Sequence, residues 1–109
     1  MADSRGRRCI EVVAGGAVVA AADLESVDDP TVIRASLRAG AGHAPVGARA
    51  RLVDALLDRR RTRRRRRLEA TLPLGDVEAL ERLRERCPDL RARPAGSTCL
   101  VDARLPDTD

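Results

Sequence analysis

The residues most able to do chemistry in this sequence are eight arginines within nine positions, which we call the arginine run. A guanidinium stays charged in proteins and offers five N–H donors, so a cluster of them suits phosphates and carboxylates. The cluster reads RRRTRRRRR and is interrupted only by Thr62. The candidate residues for binding an anionic partner are Arg59, Arg60, Arg61, Arg63, Arg64, Arg65, Arg66 and Arg67.

The basic character of the protein comes from this run alone. The formal net charge is +4 and the run contributes eight positive charges, which leaves −4 for all other residues. One interpretation is an electrostatic arm that contacts the phosphate backbone of nucleic acid without reading its sequence. The other is a solvated connection, and we favour it because the chain has no aromatic residue to stack on bases and its remaining charge is negative.

Residues suited to nucleophilic or acid–base catalysis are few. His43 is the only histidine, and it lies in a loop rich in Gly, Ala and Pro, where we expect it to be solvated. Cys87 and Cys99 fall on apolar faces of their predicted elements, where a thiol acts as a small apolar side chain. Cys9 follows two arginines that would lower the pKa of its thiol if they lay beside it, but we favour a packing role.

No set of residues predicts a metal or cofactor site. Helix capping and ion pairing explain Asp28, Asp29, Asp54 and Asp58. Three cysteines without a CxxC pair do not predict a zinc site, and the glycine-containing turns match neither the dinucleotide nor the P-loop pattern. We therefore expect no catalytic residue, no cofactor and no metal.

The elements that precede the run are predicted from apolar patterning. Two short β-branched segments around Gly15-Gly16 predict a β-hairpin over about residues 9–22, because glycines tolerate the positive φ of a tight turn. Asp29 and Pro30 match the cap and first position of a helix. We expect that helix to be short, over about residues 30–39.

The elements around and after the run are more regular. A helix is predicted from Ala48 into the arginine run, and the alternating residues 68–74 predict a strand. Asp76 and Pro88 delimit the clearest helix of the chain. A last strand is predicted over about residues 97–105.

Together these elements predict an α+β domain of order β-β-α-α-β-α-β. Amphipathic helices need a common apolar surface, so we expect a two-layer sandwich in which a mixed four-stranded sheet carries the helices on one face. The single domain is expected over residues 9–105, with a flexible lead-in over 1–8 and an acidic tail over 106–109. The arginine run then connects the second helix to the third strand.

The composition of the core suggests how such a domain works. The sequence contains no Phe, Tyr or Trp, so its core lacks the side chains that bury the most area, and pairing with a second copy would stabilise it. We predict a small non-enzymatic domain that acts by protein association, as a homodimer, with nucleic-acid binding through the arginine run as the alternative. The apolar segment 12–22 is too short to span a bilayer, so we expect a cytoplasmic protein without a membrane partner.

Overall fold

A computed structural model of the chain describes residues 7–40 and 44–106. The strands are β1 (Arg7–Ala14), β2 (Ala17–Ser26), β3 (Val32–Ala39), β4 (Arg67–Pro73), β5 (Leu90–Ala95) and β6 (Thr98–Arg104), and the helices are α1 (Ala48–Asp58), α2 (Arg60–Arg63) and α3 (Val77–Arg86). The strands form one mixed sheet in the order β1-β2-β3-β4-β6-β5. Among these described strands, β3 and β4 are the parallel neighbours and the other pairs are antiparallel. Most of the expected lead-in and tail, residues 1–6 and 107–109, falls outside the described residues.

The predicted hairpin is present and longer than expected. Gly15 and Gly16 adopt φ values of 60° and 80°, which is the left-handed pair that a tight two-residue turn requires. β1 and β2 pair antiparallel on either side of this turn, with a register shift between Val12 and Val13.

The helix predicted over residues 30–39 is wrong, since this segment forms β3. Thr31 donates its backbone N–H and its hydroxyl to Oδ1 of Asp29, at 2.9 and 2.7 Å, so Asp29 shapes a turn and does not cap a helix. Ile33, Ala35 and Leu37 are buried and the residues between them are exposed. This is the period of a half-buried strand.

The predicted four-stranded sheet is therefore too small, and β5 is the second strand that was missed. β5 reads LRARPA, and among the described strands it pairs only with β6, at the edge of the sheet. Its arginines and its proline hide the strand signal, although charged residues and proline are typical of edge strands. The corrected order is β-β-β-α-α-β-α-β-β.

The two longer helices pack on one face of the sheet. Leu52 and Leu56 of α1 join Ala79 and Leu83 of α3 in one core cluster with the inward residues of the strands. The other face carries charged cross-strand pairs such as Arg34 with Glu69, at 3.1 Å. The amphipathic faces of α1 and α3 therefore confirm the expected two-layer α+β arrangement.

Candidate functional site

The parallel strands β3 and β4 separate toward their carboxyl ends. They pair from Val32 and Arg67 as far as Ser36 and Thr71. Beyond that point β3 continues beside β2, and β4 continues beside β6 as far as Pro73. An opening between two neighbouring strands results. In open sheets with parallel strands, ligands bind in the crevice outside the carboxyl ends of the strands.

The amino terminus of α1 belongs to the connection that leaves this end of β3. Gly47 precedes the helix with a φ of 92°, and its position supplies no side-chain cap for the first turn. The first turn contains no acidic residue, and Arg49 and Arg51 add positive charge there. The helix dipole makes such a terminus favourable for an anion, while the N–H of Ala48 already donates to the carbonyl oxygen of Pro45 at 3.1 Å.

An anion already lies against this first turn, and it comes from α3. The backbone N–H of Ala50 donates to Oε2 of Glu78 at 3.3 Å. Arg49 pairs with Asp76 at 2.8 Å, while Asp76 also accepts from the Ala79 N–H as the cap of α3. The Glu78 carboxylate thus occupies one of the N–H donors in the first turn of α1.

Charge pairs also join α1 to α3 in the carboxyl-terminal halves of the two helices. Asp54 accepts from Nε and Nη2 of Arg82, at 2.8 and 3.0 Å. Arg86 donates to Asp54 and to Asp58, at 2.8 Å in each case. The hydrogen bond from Arg82 holds the pKa of Asp54 below its usual value, against the opposing effect of burial. These pairs hold the carboxyl-terminal halves of the two helices together.

The structure distributes the arginine run over four elements. Arg59 lies between α1 and α2, residues 60–63 form α2, residues 64–66 form a turn, and Arg67 opens β4. Arg67 pairs with Asp102 across the sheet. The run is thus a structured connection and not an arm, while its predicted role in binding an anionic partner stays a prediction.

The run lies at the opposite end of the sheet from the strand opening. The backbone N–H groups of Arg66 and Arg67 donate to the carbonyl oxygen of Thr31, which precedes β3, at 2.7 and 3.1 Å. α1 separates the two ends and has 11 residues, a length of about 16 Å. An anion held by the run would therefore lie in a different place from one held at Gly47.

The surroundings of Cys9 and Cys87 do not favour their thiolate forms. Burial, followed by a hydrogen bond with Asp23, raises the pKa of the Cys9 thiol despite the nearby Arg38. Burial also raises the pKa of Cys87. Both thiols are therefore protonated at neutral pH. His43 lies outside the described residues.

Two further classes of site are absent from the part of the chain that the structure describes. Residues 7–40 and 44–106 contain no group of three or more His, Cys, Asp or Glu side chains placed to hold a metal ion. Over the same residues, none of the helices has the length and apolar character needed to cross a bilayer.

The comparisons with known proteins give a structural likeness only. No protein-family model and no curated protein sequence matches this chain. The GNAT domain of S. lividans PAT superposes with a TM-score of 0.64 at 12% identity, over 96% of this chain and 64% of that one. This fold is GNAT-like. The acetyltransferase of the GNAT family from Streptococcus pneumoniae superposes with a TM-score of 0.63 at 10% identity, over 93% of this chain and 68% of that one.

A third structure carries a ligand. It is yncA from Salmonella typhimurium with its cofactor acetyl-CoA, which superposes with a TM-score of 0.61 at 15% identity, over 92% of this chain and 64% of that one. The chain thus spans 64 to 68% of the length of these three neighbours. Identities of 10 to 15% establish the fold alone.

The GNAT-like fold overturns the functional predictions made from the sequence. A non-enzymatic domain acting by protein association is contradicted because the neighbours that share the fold include acetyltransferases. The absence of a sequence motif led to that error. The opening between β3 and β4 results from strand order and backbone geometry. Neither of these produces a recognisable set of reactive side chains in this sequence. The homodimer and the alternative of nucleic-acid binding through the arginine run stay predictions.

Sequence reasoning also missed Gly47, Ala50 and Glu78. The available signal was a glycine directly before a helix whose first turn holds arginines and no acid. This signal was missed because residues 30–39 were predicted to be a helix. The prediction therefore lacked strand β3, which brings the chain to this end of the sheet.

Proposed function

We propose that this domain binds acetyl-coenzyme A, or a closely related acyl-coenzyme A, and transfers the acyl group to an amine. The observation that carries the proposal is the separation of β3 and β4 after Ser36 and Thr71, with the amino terminus of α1 on the connection that follows β3. The same arrangement of elements superposes on a protein determined with its cofactor acetyl-CoA. When bound, acetyl-coenzyme A supplies a thioester, whose acetyl group passes to the amine with release of the free thiol.

The first turn of α1 fits the phosphate groups of such a ligand. The N–H of Ala50 already donates to a carboxylate oxygen at 3.3 Å, so an oxyanion is accommodated there. Gly47 has no side chain that would obstruct the approach, and its positive φ is a conformation natural to glycine. The exposed charge of Arg51 favours phosphate over a neutral group, whereas Arg49 is already paired with Asp76.

The strand opening fits the extended arm of the ligand. That arm carries amide groups, which pair with strand backbone in the way that an added β-strand does. Residues 37–39 of β3 and 72–73 of β4 lie beyond the last paired positions of the two strands. Their backbone groups would orient the arm and keep water from the thioester.

Arg51 allows a test that separates binding from folding. It is exposed in the first turn of α1, where a glutamate favours the helix dipole and would leave the fold intact or slightly more stable. The same glutamate would repel the phosphates of the ligand. We therefore expect Arg51→Glu to bind acetyl-coenzyme A about tenfold more weakly, which corresponds to about 1.4 kcal/mol, at unchanged thermal stability.

Calorimetric titration with acetyl-coenzyme A measures this effect. The matched control is Arg91→Glu, the same charge change at an exposed position of the edge strand β5, which should bind like the wild type. Acyl transfer is followed separately, as free thiol released from acetyl-coenzyme A when amines are added. If Arg51→Glu and the wild type bound acetyl-coenzyme A with equal affinity, the phosphates of the ligand would not bind at α1.

A further inference from the structure

We propose that the arginine run forms a second anion site, specific for a small ligand carrying two or more phosphate groups. A depression of about 530 Å³ at the α2 end of the sheet is lined by Pro30, Arg60, Arg61, Arg64 and Arg65. We call it the arginine pocket. It lies beyond the carboxyl end of α1, so it is separate from the proposed acetyl-coenzyme A site and goes beyond that function.

The four guanidiniums of the arginine pocket lack acidic partners among the described residues. Arg61 donates to the hydroxyl of Ser26 at 2.9 Å, and Arg65 donates to the carbonyl oxygen of Pro30, both of them neutral acceptors. Across residues 7–40 and 44–106, no ion pair engages Arg60, Arg61, Arg64 or Arg65. Several arginines elsewhere pair with carboxylates, among them Arg34, Arg38 and Arg82. The arginine pocket is therefore a concentration of uncompensated positive charge.

The fold holds these like charges close together. Arg60 and Arg64 are four residues apart across a helical turn, where equal charges repel, and Arg61 and Arg65 line the same depression. The turn is fixed by backbone hydrogen bonds from Arg64 to Arg60, at 3.2 Å, and from Arg65 to Thr62, at 2.9 Å. Thr62 is fully buried and anchors α2 to the protein. A multivalent anion would relieve the repulsion without requiring the backbone to reorganise.

The surroundings of the arginine pocket favour a compact ligand over a long one. Asp28 and Asp29 directly precede Pro30 in the chain. Hydrogen bonds from Thr31 lower the pKa of Asp29, which keeps that carboxyl ionised. The residues outside the run carry a net charge of −4. An extended phosphate backbone would meet these negative charges, whereas a di- or triphosphate group fits within the depression.

Calorimetric titration of the full chain with sodium tripolyphosphate and with inorganic phosphate tests the proposal. We expect saturable one-to-one binding of tripolyphosphate, at least tenfold tighter than that of phosphate. Arg60→Ser with Arg64→Ser should weaken tripolyphosphate binding by about tenfold or more, because two guanidinium contacts with the phosphates are lost. Arg64→Ser alone, at an exposed position, should weaken it severalfold and covers the case in which the double variant does not fold.

Two controls separate the arginine pocket from a general effect of positive charge and from the acetyl-coenzyme A site. Arg91→Ser with Arg93→Ser removes the same charge from exposed arginines of β5 and should change tripolyphosphate binding less than twofold. Arg51→Glu acts on the proposed phosphate site of α1 and should leave the tripolyphosphate affinity of the arginine pocket unchanged, so failure of the acetyl-coenzyme A site and failure of the arginine pocket are distinguishable. Equal losses in both double variants would overturn the proposal. So would an affinity for single-stranded DNA that exceeds that for tripolyphosphate and grows with oligonucleotide length.

Discussion

Glu78 of α3 accepts a hydrogen bond from the backbone N–H of Ala50 in α1, at 3.3 Å. A side chain of the protein thereby occupies a donor that an anionic ligand would use. The contact stabilises the uncapped amino terminus of α1. It also implies that a phosphate must displace the Glu78 carboxylate before it can bind at this helix terminus.

Glu78→Gln should therefore strengthen the binding of acetyl-coenzyme A. The amide keeps the size of the side chain but removes a negative charge beside the proposed phosphate position, an effect of about 0.5 to 1 kcal/mol. We expect a two- to fivefold lower dissociation constant by calorimetry. The control is Glu81→Gln, which removes the same charge from an exposed position of α3. Weaker binding by Glu78→Gln would mean that the carboxylate positions the ligand.

Asp54→Asn should reduce stability in a pH-dependent way. The pKa of Asp54 is lowered in the folded state by Arg82 and Arg86, so its stabilising effect is complete above the unfolded pKa of about 3.9 and is lost as the pH falls through the lower, folded value. The Asp54 side chain is 31% exposed, so we expect a loss of about 1 kcal/mol at pH 7. The difference from wild type should shrink below about pH 4.

Urea unfolding followed by circular dichroism measures this difference, since the chain has no tryptophan. Glu85→Gln is the control, because Glu85 pairs with Arg82 at 2.8 Å but its side chain is 64% exposed. It should change stability by less than about 0.5 kcal/mol. A deficit in Asp54→Asn that is the same at pH 3 and pH 7 would show that charge does not cause it.

Gly40→Ala should destabilise the fold strongly. A Cβ at Gly40 would lie 2.0 Å from the carbonyl oxygen of Val18, which is backbone and cannot move aside alone. We expect a loss of about 3 kcal/mol. Gly15→Ala is the comparison, because that turn has open space around a Cβ and a φ of 60°, and it should cost only about 1 kcal/mol. Equal losses in the two variants would contradict the close approach of Gly40 to β2.

Thr62→Val should raise stability. The Thr62 hydroxyl is fully buried and has no hydrogen-bond partner among the described residues, so the isosteric valine removes a desolvation penalty of about 1 kcal/mol or more. Thr71→Val, on the partly exposed side of β4, should change stability by less than about 0.5 kcal/mol. A less stable Thr62→Val would reveal a polar partner for the hydroxyl. Tripolyphosphate binding should be unaffected in both variants.

The sequence correctly predicts the elements whose ends are marked by residues next to them in the chain. Gly15 and Gly16 mark the hairpin, and Asp76 caps α3 through the Ala79 N–H at 3.2 Å. The charge pairs of Asp54 and Asp58 were expected as well, although their arginines come from α3 and not from the same helix. An ion pair between two helices depends on tertiary packing, which the spacing of residues along the sequence does not reveal.

The missed strands β3 and β5 show where the apolar pattern of the sequence does not determine secondary structure. The segment Val32–Ala39 contains apolar residues at both helical and alternating spacings, and Asp29 with Pro30 favoured the wrong choice. Its strand form is stabilised by pairing with β2 and β4, and β4 is distant in sequence. Because the opening lies between β3 and β4, losing β3 from the prediction also removed the candidate site.

A titration of ¹⁵N-labelled protein with acetyl-coenzyme A, followed by NMR of the backbone amides, tests the central claim most directly. Acetyl-coenzyme A carries several negative charges and could reach either the α1 terminus or the arginine pocket, and the amide positions distinguish the two. We expect saturable shifts at residues 37–39, 47–51 and 72–74, with little change at residues 60–65. No saturable shift, or shifts confined to residues 60–65, would contradict an acetyl-coenzyme A site between β3 and β4.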